Sequence, residues 1–251
     1  MDLDNRIALV TGSSRGIGTA IAKTFAANGA TVILHGRDKD ALTSVRGEIE
    51  ASGGRAVYQT ADLTSIDDID AMRARIETEF GTPDILVVNA GGSFARPALV
   101  EEIDPDEWRA SIEGNLTATF LTVQAFLPGM TARGSENIIT LSSAAARKPY
   151  PVAPVPYAAA KAGVQIFTQD LAAQVGPFGM VSNCIAPETI LSGRNKERIP
   201  ADKQEAFRRQ HPLQRLGRPE GIGEAALYLA SSRSSWVTGI VLDVGGGAVM
   251  V

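Results

Sequence analysis

The stretch RIALVTGSSRGIG, residues 6–18, decides the fold. Its first half is a short apolar run bounded by glycine, which reads as a buried strand. Its second half sets glycines at 12, 16 and 18 ahead of a segment of helical period, from about Gly16 to Asn28. A strand turning tightly into a helix is the first half of a βαβ unit, so the stretch predicts a parallel sheet if the rhythm continues.

It does continue. TVILHG and AVYQTAD read as strands on either side of a helix near 39–51, and SIDDIDAMRARIETEFG opens with Ser65 and Asp68 in a capping-box pattern. Then come the strand ILVVNAG, a long helix from about 105 to 128, the strand NIITLSS and a helix from about Tyr157 to Val175. The strand SNCIAP, an irregular charged stretch from Glu188 to Pro212, a helix near 219–230 and a last strand around IVLDVGG complete the chain. The pattern predicts one α/β domain over residues 1–251: a single-domain, doubly wound Rossmann fold with a mainly seven-stranded parallel sheet flanked by helices.

Composition excludes several classes of function. A formal net charge of −4 offers no broad basic field for a nucleic-acid backbone. One cysteine, Cys184, rules out an internal disulfide and reads as a buried core thiol. With only His35 and His211 for imidazole there is no Cys/His cluster at metal-ligand spacing, so no metal is expected. The N-terminus MDLDNRIALV lacks a basic region leading into a long apolar stretch, and no run is long enough to span a bilayer. The expected location is cytoplasmic, with no nucleic-acid or membrane partner.

The glycine spacing G-x-x-x-G-x-G in residues 12–18 differs from the G-x-G-x-x-G fingerprint but serves the same physics. Glycines permit a tight turn and close backbone approach, and a helix amino end offers unpaired N–H groups and partial positive charge to a pyrophosphate. Gly12, Ser14, Arg15, Gly16, Ile17 and Gly18 are the candidates for that contact; a plain glycine-rich turn is the alternative. At the end of the second strand a carboxylate would favour NAD, whereas a nearby arginine suits the 2′-phosphate of NADP. Here Gly36 stands at that position and Arg37 follows it, which favours NADP(H). NAD(H) stays open because Asp38 is adjacent and either arginine could be an ordinary surface charge. Asp62 and Leu63 are placed after the third strand to contact adenine or, equally, to cap a helix.

Four separated signals then combine: TGSSRGIG at 11–18, NAG at 89–91, LSS at 141–143 and YAAAK at 157–161. In this order and spacing they resemble the short-chain dehydrogenase/reductase family, over about Asn5 to Val251. The resemblance implies that Tyr157 is the general acid/base of a hydride transfer. It implies that Lys161, one helical turn later, brings the phenol below its ordinary value near 10 and bonds the nicotinamide ribose. It implies further that Ser143, in preference to its neighbour Ser142, orients the substrate oxygen. Asn115 would kink the long helix and hold a water leading from the lysine to solvent, and Asn89, Ala90 and Gly91 would lie beneath the adenosine ribose.

The resemblance has departures. The loop between Ser143 and Tyr157 holds 13 residues, with prolines at 149, 151, 154 and 156, and reads as a stiff approach to the Tyr157 helix. After the sixth strand the family's Pro-Gly is replaced by Pro187 and Glu188, which leaves nicotinamide contacts from Pro187, Thr189 and Ile190 open, with Ser192 where a threonine is expected. Residues 188–212, carrying Arg194, Lys196, Arg198, Arg208, Arg209 and His211, read either as a substrate lid or as a solvated charged helix. The endings HPLQRLGRPE and VTGIVLDVGGGAVMV look like the 3-oxoacyl-carrier-protein reductase branch, which implies a homotetramer and a small-molecule 3-oxoacyl thioester as the most plausible substrate. Phe178, where carrier-protein users place a basic residue, keeps a free ketone, a sugar or a coenzyme A thioester in play. NAD-dependent alcohol or sugar oxidation and a catalytically idle cofactor-binding regulator are the rival functions.

Overall fold

A computed structural model describes residues 1–134, 137–150, 152–193 and 200–250. Seven strands form one sheet: β1 (Ile7–Val10), β2 (Thr31–Gly36), β3 (Arg55–Thr60), β4 (Ile85–Val88), β5 (Asn137–Leu141), β6 (Val181–Pro187) and β7 (Val241–Val244). Their spatial order is β3-β2-β1-β4-β5-β6-β7, and every neighbouring pair is parallel. The helices are α1 (Gly16–Ala27), α2 (Lys39–Ala51), α3 (Ile66–Phe80), α4 (Pro105–Ile112), α5 (Ala118–Arg133), α6 (Val155–Val175), α7 (Ala201–Gln210) and α8 (Pro219–Ala230).

Both sheet faces are covered, which is why the strands are apolar along their whole length and not alternating. Ala8, Val10, Val32 and Leu34 point into one core with Phe25 of α1, Leu42 of α2 and Ile222 of α8. Leu9, Ile33, Leu86 and Val88 point into the other with Met72 of α3, Phe126 of α5 and Leu171 of α6. The two-residue period of a strand assigns alternate residues of β1 to opposite cores. Each fully buried side chain such as Phe25 or Phe126 contributes about 1.5–3 kcal/mol.

Three details differ from the sequence reading. Ser65 does cap α3, accepting from the Asp68 amide at 3.3 Å, but Asp68 does not reciprocate. Its carboxylate accepts from the Asp62 amide, while Ser65 N–H bonds to the Asp62 carbonyl, so half of the expected box is formed. The long helix is two helices joined by a π-helical turn over Glu113–Thr117, and it runs on past Pro128 because Met130 is buried in the core and Arg133 bonds Asp84 at 2.7 Å. The stretch expected to be irregular contains α7; Arg194, Lys196 and Arg198 lie outside the described residues. Among the described residues no helix is long and apolar enough to cross a membrane.

This topology fixes where a site can form. Strand order reverses beside β1, whose neighbours β2 and β4 lead away in opposite directions, and a crevice opens at the carboxyl ends of the strands there.

Candidate active site

A cleft of about 1300 Å³ follows that crevice from the turn after β1 to the amino end of α6. The turn after β1 is held from beneath. Thr11 Oγ1 accepts from the amides of Asn89 and Ala90, each at 3.0 Å, and donates to the Val87 carbonyl. Asn89 Nδ2 returns bonds to the carbonyls of Thr11 and Gly12. Gly12 adopts φ +64°, and a Cβ there would lie 2.8 Å from Ala90 Cα; one on Gly18 would meet the Gly12 carbonyl at 2.3 Å. These glycines are therefore required by close backbone approach.

His35 completes the support, a role that sequence reading missed. The Gly12 amide donates to His35 Nδ1 at 3.3 Å, so the ring proton sits on Nε2, which donates to the Ala61 carbonyl at 3.2 Å. Burial pushes this imidazole down to about 4 from its ordinary 6.5, the Ala61 bond only partly opposing it. A lone histidine at a strand end carries no signal in sequence; only the fold brings Gly12 and Ala61 to its two nitrogens.

The start of α1 has no acidic residue in its first turn, and Arg15 at the cap position makes no side-chain capping bond. Its amides face the cleft without side-chain partners, which suits an anionic pyrophosphate. Gly12, Ser14, Arg15, Gly16, Ile17 and Gly18 all line the cleft. So do Arg37, Asp62, Leu63, Asn89, Ala90 and Gly91. At this end Asp38 caps α2 by accepting from the Ala41 amide and sits 3.6 Å from Arg15, so its carboxylate is already engaged. Asp62 likewise accepts from the amide and hydroxyl of Thr64, which hold its carboxyl below the usual range.

At the other end α6 presents Tyr157 and Lys161 on one face, as an i, i+4 pair must be, with Lys161 Nζ 5.9 Å from the Tyr157 ring centroid. Pro156 in the first turn and extended Pro154 before it set the helix start. Lys161 is buried and donates to the Leu141 carbonyl at 2.7 Å. Burial pushes its ammonium down to about 8. Tyr157 is half-buried, and desolvation raises its phenol, while a hydrogen bond with Ser143 pulls the other way. The net direction is upward, opposite to the lowering that the resemblance implied, because desolvation outweighs the Ser143 bond.

The two serines separate cleanly. Ser142 Oγ is buried, donating to the Lys161 carbonyl and accepting from Gln165 Nε2, both at 2.8 Å, whereas Ser143 bonds Tyr157. Asn115, in the π-helical turn, accepts from the Gly92 amide and donates to the carbonyls of Gly92 and Ser111. A Cβ on Gly91 would meet Asn115 Oδ1 at 2.6 Å and Lys161 Nζ at 3.4 Å, so these three residues converge. Pro187 and Ile190 line the cleft, as does Ser192; Thr189 does not, and turns instead toward Tyr150, its Oγ1 3.3 Å from the phenol oxygen. His211, expected among the exposed charges, is buried against Glu188. Among the described residues no group of three His, Cys, Asp or Glu side chains could hold a metal.

The family pattern described as Enoyl-(Acyl carrier protein) reductase matches residues 12–249. The chain belongs to the short-chain dehydrogenase/reductase family. It is 37% identical over 246 residues to the 3-oxoacyl-acyl-carrier-protein reductase FabG of Chlamydia muridarum, covering 98% of each chain. It is 35% identical to the 7alpha-hydroxysteroid dehydrogenase of Escherichia coli K12, covering 98% of this chain and 95% of that one. A solved 3-oxoacyl-acyl-carrier-protein reductase with bound NAD from Brucella melitensis superposes with a TM-score of 0.89 at 35% identity, covering all of this chain and 93% of that one. As a short-chain dehydrogenase/reductase the chain is an oxidoreductase with a nicotinamide-cofactor fold.

Because folded His35 holds its proton less tightly than the unfolded chain does, its contribution is present above pH 6.5 and lost as pH falls toward 4. The loss should reach about 3 kcal/mol. In urea unfolding between those pH values, His35→Gln should flatten this acid limb.

Proposed function

We propose that the chain reduces a ketone to a secondary alcohol with NADPH, and that a 3-oxoacyl thioester is the physiological substrate. The observation that carries the reading is the meeting of Tyr157 and Lys161, with Ser143 bonded to the Tyr157 phenol, at the end of a cleft that begins on a glycine-lined helix amino terminus. When bound there, the dinucleotide supplies the hydride. Gly12, Ser14, Arg15, Gly16, Ile17 and Gly18 hold its phosphates, and Asn89, Ala90 and Gly91 lie under its adenosine half.

Tyr157 is the proton donor. Reduction needs an acid at the carbonyl oxygen, and a phenol raised by burial arrives with its proton in place. Ser143, already bonded to that phenol, turns its hydroxyl toward the same oxygen and fixes the approach. Lys161, pushed down to about 8, gains and loses a proton close to working pH and restores the one that Tyr157 gives away. Asn115 is a positioning residue that fastens the Gly91–Gly92 shelf beside the ammonium.

Preference for NADPH is supported by what surrounds the end of β2. Gly36 supplies no carboxylate, Asp38 is engaged by the cap and by Arg15, and exposed Arg37 and Arg15 flank the opening. The NAD bound in the Brucella melitensis relative supports NAD as the second reading. The thioester assignment draws on the Chlamydia muridarum relative, and the steroid dehydrogenase keeps a free secondary alcohol as its rival. Exposed Phe120 and Ile166 on α5 and α6, with Trp236 and Ile240 beside the free edge strand β7, support a homotetramer, and the buried free thiol of Cys184 suits the cytoplasm.

Tyr157→Phe is expected to lower kcat by about 10²–10⁴-fold with 3-oxoacyl thioesters, while dinucleotide affinity by fluorescence stays within about twofold. Turnover near that of the parent would remove the proton-donor role. Arg37→Ala should weaken NADPH about tenfold and leave NADH nearly unchanged, since one charge-assisted bond to the 2′-phosphate is lost; equal weakening would place the 2′-phosphate elsewhere.

A further inference from the structure

Glu188 stands directly after Pro187, at the end of β6 where the cleft meets its substrate end. A carboxylate here is unexpected, and it is almost wholly buried, at 3% side-chain exposure on both sides of its pair with His211. Its partners come from its own turn and from two separate segments. His211 Nε2 lies 2.7 Å from Oε2, the Thr189 amide donates to the same oxygen, and the Tyr150 phenol bonds the carboxylate from the loop that carries Ser143.

Burial alone would raise Glu188, but the bonds from Tyr150, Thr189 and His211 outweigh it and hold the carboxyl below its usual range. His211 Nδ1 lies 2.7 Å from the Phe207 carbonyl, the last turn of α7. A carbonyl can only accept, so Nδ1 carries a proton. His211 is thus locked between an α7 carbonyl and the Glu188 carboxylate.

The carboxyl-terminal glycines are shaped around this pair. A Cβ on Gly245 would meet Glu188 Cβ at 2.9 Å, one on Gly246 would meet His211 Cδ2 at 3.4 Å, and one on Gly247 would meet Pro212 Cγ at 2.8 Å. The backbone closes the arrangement, with Glu188 N–H bonded to the Val244 carbonyl and Leu213 N–H to the Gly246 carbonyl. The other ionisable groups facing the pair are Tyr150, pushed up to about 12 by burial, Asp243 of β7, which is neutralised by Arg147, and the exposed Arg215 and Arg218 around the adjoining cavity of about 450 Å³.

We propose that Glu188 and His211 form a latch that positions the turn from Pro187 to Ser192 against the substrate end of the cleft. Through this buried pair the turn is tied at once to α7, to β7 and to the Ser143 loop. Without the pair, Pro187, Ile190 and Ser192 lose their fixed placement. Glu188 and His211 are positioning residues: neither lines the cleft, and they act through the turn. The kinetic part of the proposal rests on the carbonyl-reductase reading above, whereas the structural part does not.

The test is amide hydrogen exchange of residues 189–193 and 207–213 at about pH 7, alongside carbonyl KM and kcat. Glu188→Gln keeps a hydrogen-bonding partner for His211 and should stay within about threefold of the parent in protection and in carbonyl KM. His211→Leu leaves a buried carboxylate without its partner and is at risk of misfolding, so the double variant Glu188→Gly with His211→Leu removes both side chains. It should lose protection by about tenfold or more, with carbonyl KM rising in step, while binding dinucleotide within about threefold of the parent. Parent-like protection in the double variant, or a loss in Glu188→Gln as large as in the double variant, would overturn the latch. Absence of carbonyl turnover with NADPH would overturn the functional reading and leave the exchange result standing.

Discussion

The burial of one ammonium group constrains the whole active end of this protein. Lys161 sits at the junction of β5, α6 and the loop after β4, with the Leu141 carbonyl as its bonded partner. Ordering around it follows from that. Gly91 has no room for a side chain because the ammonium and Asn115 are there, and Ser142 secures the α6 backbone at the Lys161 carbonyl. Tyr157, a turn earlier on the same helix, is half-buried and bonds Ser143. Removing a charge from water is costly, so the site is stable only because two packed cores hold these elements in place. The return is an amine that titrates close to neutrality, beside a phenol that keeps its proton until a partner takes it.

The opposite end of the cleft solves a different problem by related means. There the backbone must approach a polyanion closely, so side chains are removed at Gly12 and Gly18 and the α1 amides are left facing outward. Thr11, Asn89 and neutral His35 take up the backbone groups underneath. Both ends stand on the carboxyl edge of the same sheet, at the point where strand order reverses, and this registers a hydride donor against a proton donor without any hinge between domains.

Much of this was legible in the amino-acid order. The seven strands, the glycine turn and the Tyr157–Lys161 pair follow from period and spacing, because each is local. The features that escaped are those whose partners are remote in sequence. The resemblance implied a kink at Asn115, but its bonds to Gly92, 23 residues away, lie outside any short window. His35 is decided by Gly12 and Ala61, and Glu188 by His211 and Tyr150, none of which a short window contains. Asp68 satisfies the capping-box pattern yet turns to Asp62, because that amide lies equally within reach. The direction of the Tyr157 shift also escaped: a nearby lysine suggests lowering, and only the degree of burial reverses it.

Lys161 is a buried amine whose proton is loosely held. Nuclear magnetic resonance of ε-labelled lysine in the cofactor-free protein, with Lys161 assigned by its absence in Lys161→Met, measures this directly. Titration at about 8 is expected. A midpoint at or above the ordinary 10.5 would contradict it, and would mean that solvent reaches the ammonium and that the proton relay at this site is built on another group.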